Sequence, residues 1–118
     1  MSAPFMFFDL RTSDVPTARD FYTGLFGWTV TEVPAGDQPI SLLTNENGPW
    51  GGFTPVPAGD PRRPQWTPYA AVQNLDKAAE RVRELGGKIL RERTEVAGGT
   101  LVVVEDPTGA SLVLWEAA

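Results

Sequence analysis

The apolar positions of the chain follow two periods, and each period predicts one kind of element. Apolar residues recur every three or four positions between Asp14 and Gly27, and again between Asn74 and Gly87. This spacing predicts two amphipathic helices. Asp14 and Asn74 are typical N-caps, and a glycine at the far end permits a left-handed stop. Because the two N-caps are 60 positions apart, we interpret the chain as an internal repeat.

Short apolar runs bounded by turn residues predict four strands in each half. The predicted strands cover 5–11, 28–33, 40–44 and 50–54, then 66–72, 88–93, 100–104 and 111–115. We predict one α+β domain over 1–118, with a βαβββ module at 5–54, a proline-rich linker at 55–65 and a second βαβββ module at 66–116. The two modules are expected to pair into a curved mixed sheet with an open cup, where a small ligand would bind.

Composition removes several classes of function. The chain has no cysteine and no histidine, which excludes disulfides, thiolate zinc sites and catalysis by either residue. With a net charge of -5 and scattered basic residues, nucleic acid is not an expected partner. There is no basic leader, and no apolar run approaches the roughly 20 residues that cross a bilayer. We expect a cytoplasmic protein without a membrane partner.

Two segments carry a family resemblance. The run DVPTARDFY at 14–22, continued by LFGW at 25–28, resembles the first helix of the vicinal oxygen chelate superfamily. That superfamily includes glyoxalase I, extradiol dioxygenases, fosfomycin-resistance enzymes and bleomycin-binding proteins. The segment EDPTG at 105–109, followed by LVLWE at 112–116, is similar to the family's last turn and strand. The resemblance extends from about Phe5 to Glu116 and implies the glyoxalase/bleomycin-resistance fold.

The resemblance also indicates where a metal would bind. Metal-dependent members of the family place one ligand on the first and last strand of each half. Those positions correspond here to Phe7, Gly52, Thr67 and Val113. Only the Thr67 hydroxyl could approach a metal, and hydroxyls are weak ligands beside carboxylate or imidazole. We therefore expect no metal site and no cofactor, and do not expect the family's metal-dependent reactions.

Strand alternation extends these positions to a predicted cup lining. The expected ligand-binding residues are Phe7, Arg11, Trp50, Gly52, Thr54, Thr67, Val113 and Trp115. The candidate catalytic residues on the same strands are Asp9 and Tyr69. An aromatic lining with a polar minority fits a small aromatic or amphipathic ligand.

Several of these residues also have a purely structural interpretation. Phe7 in place of a ligand is typical of core filling, and Trp50, Tyr69 and Trp115 would equally suit packing between sheets or subunits. A buried Asp9 must either pair with a cation such as Arg11 or have a raised pKa, which would suit an acid or base. A register slip of one residue would remove Asp9 from the lining altogether.

Three functions from different classes follow. The first is a metal-free protein that binds an aromatic or cationic small molecule in the cup. The second is a metal-independent isomerase, cyclase or hydrolase that uses Asp9 and Tyr69. The third is a structural module without a ligand, whose aromatic residues form a dimer interface. A homodimer fits all three, and the sequence leaves open whether the modules pair within one chain or between two.

Overall fold

The computed structural model of the protein describes residues 4–34, 39–57, 59–96 and 98–118. Its elements, in chain order, are β1 (Phe5–Thr12), α1 (Val15–Phe26), β2 (Thr29–Val33), β3 (Ile40–Asn45), β4 (Gly48–Pro55), β5 (Gln65–Ala71), α2 (Leu75–Glu84), β6 (Lys88–Val96), β7 (Gly99–Glu105) and β8 (Ser111–Ala117). The predicted α+β class and the βαβββ order of both halves are confirmed. The segment between the strands predicted at 28–33 and 40–44 lies mostly outside the described residues.

Contacts divide the chain into two compact units. The described residues of 7–66 form what we call the N-terminal unit, and the described residues of 1–6 and 67–118 form the C-terminal unit. The strand order is β2-β3-β4-β1 in the first and β5-β8-β7-β6 in the second. In each unit one pair is parallel, β1 with β4 or β5 with β8, and the other neighbours are antiparallel. The equivalent topologies are what the internal repeat predicts.

Both helices begin at the predicted caps. The Thr17 backbone N–H donates to Asp14 Oδ1 at 3.2 Å, and the Thr17 hydroxyl donates to Asp14 Oδ2 at 2.7 Å. In the second helix the Lys77 backbone N–H donates to Asn74 Oδ1 at 3.0 Å. Gly27 follows the first helix at φ 71°, a conformation that glycine adopts without steric cost. No helix in the described ranges is long and apolar enough to span a bilayer.

Each unit packs its helix against one face of its own sheet. In the N-terminal unit, a core that includes Leu10 and Phe53 is covered by Ala18 and Tyr22 of α1. The C-terminal core consists of Leu75 and Ala79 of α2 with Val102, Val104 and Leu114 of the sheet. We call the opposite sheet face of each unit, which points away from its own helix, the distal face. The predicted lining residues are to be sought on these two faces.

Candidate functional site

Five predicted residues share the distal face of the N-terminal unit. Leu10 of β1 and Phe53 of β4 belong to the core beneath α1, so their neighbours along each strand point to the other face. The parallel register places β1 and β4 side by side, with Asp9 next to Gly52. The residues that alternation brings to this face are Phe7, Asp9, Arg11, Gly52 and Thr54.

Phe7 fills the space beside Gly52. A Cβ atom built on Gly52 would lie 3.5 Å from Phe7 Cζ and 3.4 Å from Leu42 Cδ2. Two of the positions that the resemblance assigns to metal ligands are therefore occupied by an aromatic ring packed against a glycine. The structural interpretation of Phe7 as a space-filling side chain agrees with this contact.

Asp9 is buried, and no cation is bound directly to it in the described part of the chain. Its exposed fraction is 3%, and its Oδ2 has no hydrogen-bond partner within the described part of the chain. Burial raises the pKa of Asp9 to about 6, although a hydrogen bond from the Thr54 hydroxyl and the charge of Arg11 both lower it. None of the ion pairs found among the described residues includes Asp9. Of the two alternatives for a buried Asp9, the raised pKa agrees with the absence of an ion pair at this residue in the described ranges.

A second carboxylate near Arg11 is fully partnered, which sets Asp9 apart. Arg62 donates to both oxygens of Asp60, from Nη2 to Oδ2 at 2.9 Å and from Nε to Oδ1 at 3.2 Å. These bonds, with a smaller effect of the Arg11 charge, lower the pKa of Asp60 to about 2. Arg11 thus influences two carboxylates, and only Asp60 has a cation bound directly to it.

Trp50 does not point to the distal face, so strict alternation is wrong at this residue. The register of β3 against β4 shifts between Leu43 and Thr44, which makes Trp50 the extra residue of a β-bulge. Bulges re-aim side chains in this way. The indole of Trp50 packs against that of Trp28, with ring centroids 4.7 Å apart and planes at 82°, and it joins the core beneath α1. It is therefore separated from Gly52, which it was expected to accompany.

Trp28 and Trp50 border an open depression that sequence reasoning missed. Its volume is about 660 Å³, and the rest of its lining comes from Gly27, Thr29, Thr44, Asn45 and Glu46. From the sequence, Trp28 is predicted at the start of a strand and lies in a segment that carries the family resemblance, but it is not among the expected binding residues. Nothing in the sequence marks the bulge that brings Trp50 to it, because a bulge depends on how two strands pair.

The predicted residues of the second half lie on the distal face of the C-terminal unit. Tyr69 of β5 is paired with Val113 of β8, and the rings of Tyr69 and Trp115 lie 6.5 Å apart. Val113 is fully buried in a cluster with Leu101, apart from the core beneath α2. Thr67 is also fully buried. Because it lies two residues before Tyr69 on β5, the two side chains share a face.

Two buried side-chain oxygens lack a hydrogen-bond partner in the part of the chain that the structure describes, namely Asp9 Oδ2 and Thr67 Oγ1. Both belong to the predicted polar minority of the lining. An unpaired buried polar atom costs about 1–3 kcal/mol, so such atoms are rare and call for a specific cause. A bound molecule that hydrogen-bonds to either oxygen would remove the cost of that oxygen.

The residues present do not fit a divalent metal of the family type. Of the four positions, only Thr67 has a side-chain oxygen, and the described residues contain no group of three or more His, Cys, Asp or Glu that could hold a metal. Histidine and cysteine are absent from the whole sequence. One buried hydroxyl is a poor ligand set for such an ion.

Comparisons with known proteins agree with this fold. The family model for the Glyoxalase/Bleomycin resistance protein/Dioxygenase superfamily matches residues 5–114. The chain is 34% identical to CFP32, a candidate glyoxylase of Mycobacterium tuberculosis, over 92% of this chain and 44% of that protein. It is 30% identical to the anthracycline biosynthesis protein DnrV of Streptomyces peucetius, over 92% of this chain and 45% of that protein. The chain thus spans less than half the length of these two relatives.

A solved structure shows the same fold at lower identity. The methylmalonyl-CoA epimerase of Mycobacterium tuberculosis aligns with a TM-score of 0.62 and 20% identity, over 100% of this chain and 93% of that one. At this identity the likeness supports the fold and carries no statement about substrate.

Proposed function

Since the chain belongs to the Glyoxalase/Bleomycin resistance protein/Dioxygenase superfamily, we propose that it binds a small aromatic or amphipathic molecule on a distal face, without the divalent metal that other members use. The observation that carries this proposal is the pair of unpartnered buried oxygens, Asp9 Oδ2 and Thr67 Oγ1. Both lie on the strands that the resemblance assigns to the family's ligand positions. Polar atoms left unpaired on a binding face are available to a ligand.

The metal-free part of the proposal is supported by what occupies the ligand positions. Phe7 packs over Gly52, and Val113 is buried among apolar side chains. Neither arrangement provides a donor atom for a cation, and a buried ion without donors would not repay its desolvation. The face can instead offer apolar contact area and a few hydrogen bonds.

The class of ligand is supported by the side chains around those oxygens. Phe7 shares a face with Asp9, and Tyr69 and Trp115 share one with Thr67. Aromatic side chains provide a large contact area for flat molecules. The relative DnrV acts, by its name, in anthracycline biosynthesis, and anthracyclines are aromatic compounds.

Tryptophan fluorescence of chelator-treated protein tests this proposal. The protein is titrated with a panel of aromatic and amphipathic metabolites, and the titration is repeated with added Zn²⁺ or Ni²⁺. We expect saturable quenching that does not depend on metal and that, for a ligand on the distal face of the C-terminal unit, is lost in Trp115→Phe. Trp66→Phe is the matched control, because Trp66 packs beneath α1. Binding that requires metal, or no binding by any member of the panel, would overturn the proposal.

A second candidate function is supported by the pKa of Asp9. A carboxyl whose pKa is about 6 is close enough to neutrality for proton transfer, and Tyr69 could act with it in a metal-independent isomerase, cyclase or hydrolase. Turnover of a bound ligand should then depend on ionisation near pH 6 and disappear in Asp9→Asn. Saturable binding with no turnover across the panel would contradict this candidate.

The surface of α1 supports the expected homodimer. Helix α1 contains no buried residue, and Phe21, Leu25 and Phe26 are 59%, 59% and 56% exposed. Contiguous exposed apolar side chains are typical of association surfaces, and two-fold dimers are the commonest oligomers. Analytical ultracentrifugation should show a dimer that Leu25→Glu converts to a monomer, whereas Asp20→Asn on the same helix should not. A monomeric wild-type protein would rule this out.

A further inference from the structure

We propose that the ligand is anchored by a protonated nitrogen, an amine, amidine or guanidine attached to an aromatic ring, which binds Oδ2 of Asp9. This inference rests on the proposed function, because it specifies the class of ligand for the distal face of the N-terminal unit. It goes beyond that function by stating the charge of the ligand and the atom that recognises it.

The first support is the unsatisfied state of Asp9. Its Oδ2 has no hydrogen-bond partner among the residues that the structure describes, and only 3% of the residue is exposed. The Thr54 hydroxyl and the Arg11 charge do not offset the cost of its burial. A carboxylate removed from water is stabilised most effectively by a cation that also donates a hydrogen bond to it. The protein does not supply that cation within the described ranges, so a ligand is the natural source.

The second support is the arrangement of neighbours on the same face. Gly52 lies beside Asp9 in the register of β4, so no side chain from that position competes for Oδ2. Phe7 lies two residues before Asp9 on the same face, about 7 Å along the strand, and its ring provides an apolar surface close to the carboxylate. A ring that carries a cationic nitrogen could contact both side chains at once.

Charge favours a cation over an anion at this position. The whole chain has a net charge of -5, which raises the local concentration of positive ligands. Arg11 shares this face with Asp9, and its charge already acts on the carboxylates of Asp9 and Asp60. An ion pair with Asp9 would form away from water, where it is screened less than a surface pair.

Three probes of the same shape and different charge test the assignment. Benzamidine is a cation, benzamide is neutral and benzoate is an anion, so their binding to chelator-treated protein can be compared by calorimetry at neutral pH. Asp9→Asn removes the charge with little change of size. Asp20→Asn is the matched control, because it makes the same chemical change on the exposed surface of α1. Thermal unfolding of each variant confirms that it is folded.

We expect benzamidine to bind the wild type and Asp20→Asn with equal affinity, and to bind Asp9→Asn at least about tenfold more weakly. Benzamide and benzoate should bind every variant weakly. Equal binding of benzamidine to Asp9→Asn, or no binding of benzamidine at all, overturns the assignment. Tight binding of benzoate that is lost in Arg11→Gln would do so too, and would identify Arg11 as the anchor.

These failures can be separated from failure of the proposed function. If benzamide, benzoate or any metabolite of the panel binds without metal and independently of Asp9, the metal-free binding function stands. Only the cationic anchor is then wrong. If neither the three probes nor the panel binds, the proposed function itself fails.

Discussion

Phe7 packs against Gly52 on the distal face of the N-terminal unit. Phe7 Cζ lies 3.5 Å from the position that a Cβ on Gly52 would occupy. The next glycine is different. A Cβ on Gly51 would lie only 2.7 Å from the backbone oxygen of Phe8 and 3.2 Å from Leu43 Cδ1. Two adjacent glycines of β4 thus have opposite surroundings, one beside a ring at normal contact distance and one against a backbone atom.

This difference predicts that the same substitution has unequal effects on stability at the two positions. Gly51→Ala should lower the free energy of unfolding by about 1–3 kcal/mol, because the new methyl group collides with the Phe8 carbonyl, which cannot move without disturbing β1. Gly52→Ala should change the free energy of unfolding by less than about 1 kcal/mol. The contacts of the new methyl group are of ordinary length, and alanine lowers the conformational entropy of the unfolded chain. Urea unfolding of the two variants compares them directly. A larger loss for Gly52→Ala would contradict the packing of Phe7.

The raised pKa of Asp9 predicts a specific dependence of stability on pH. The folded state binds the Asp9 proton more tightly than the unfolded state, because burial raises the pKa from 3.8 to about 6. The contribution of Asp9 is therefore most favourable below pH 4, and it is lost as the pH rises through 6. At pH 7 the charged carboxylate should cost about 2–3 kcal/mol relative to its protonated form.

Asp9→Asn should consequently gain stability relative to the wild type between pH 4 and pH 7, by about 2–3 kcal/mol. The carboxyls whose pKa values are lowered, Asp14, Asp60 and Asp106, have the opposite trend in both proteins and cancel in the difference. Denaturant unfolding at several pH values measures it. A difference in stability that stays constant with pH would show that Asp9 titrates normally in the folded protein.

The local features of the fold were predictable because they depend on short stretches of sequence. Asp14 and Asn74 cap the helices that follow them. Alternation from Leu10 predicts Asp9 and Phe7 on the face away from α1, and the contact of Phe7 with Gly52 agrees with this. Trp50 was misplaced because its direction depends on a register shift against β3, which neither strand encodes alone. The sequence could not predict that none of the ion pairs in the described ranges includes Asp9, since this depends on where the Arg11 side chain lies.

A contact between the last strand and the second helix predicts a strong effect at Glu116. Its Oε1 accepts a hydrogen bond from the Leu75 backbone N–H at 2.6 Å, at the first turn of α2. A carboxylate in this position satisfies a free N–H group and complements the helix dipole. Glu116→Ala should therefore destabilise the protein by about 1–2 kcal/mol. Glu80→Ala, at an exposed position of the same helix, should have little effect. Equal effects of the two substitutions would exclude this capping role.

A hydrogen bond between Trp66 and Tyr22 connects the start of β5 to the aromatic core beneath α1. The Trp66 indole N–H donates to Tyr22 Oη at 3.0 Å, and the two rings meet edge to face at 5.2 Å. Tyr22→Phe keeps the ring contact and removes only the acceptor, so it should cost about 0.5–1.5 kcal/mol. Trp66→Phe removes the donor, and the Tyr22→Phe/Trp66→Phe double variant should lose less than the sum of the two single losses. Because one hydrogen bond cannot be lost twice, strictly additive losses in urea unfolding would show that this bond does not contribute to stability.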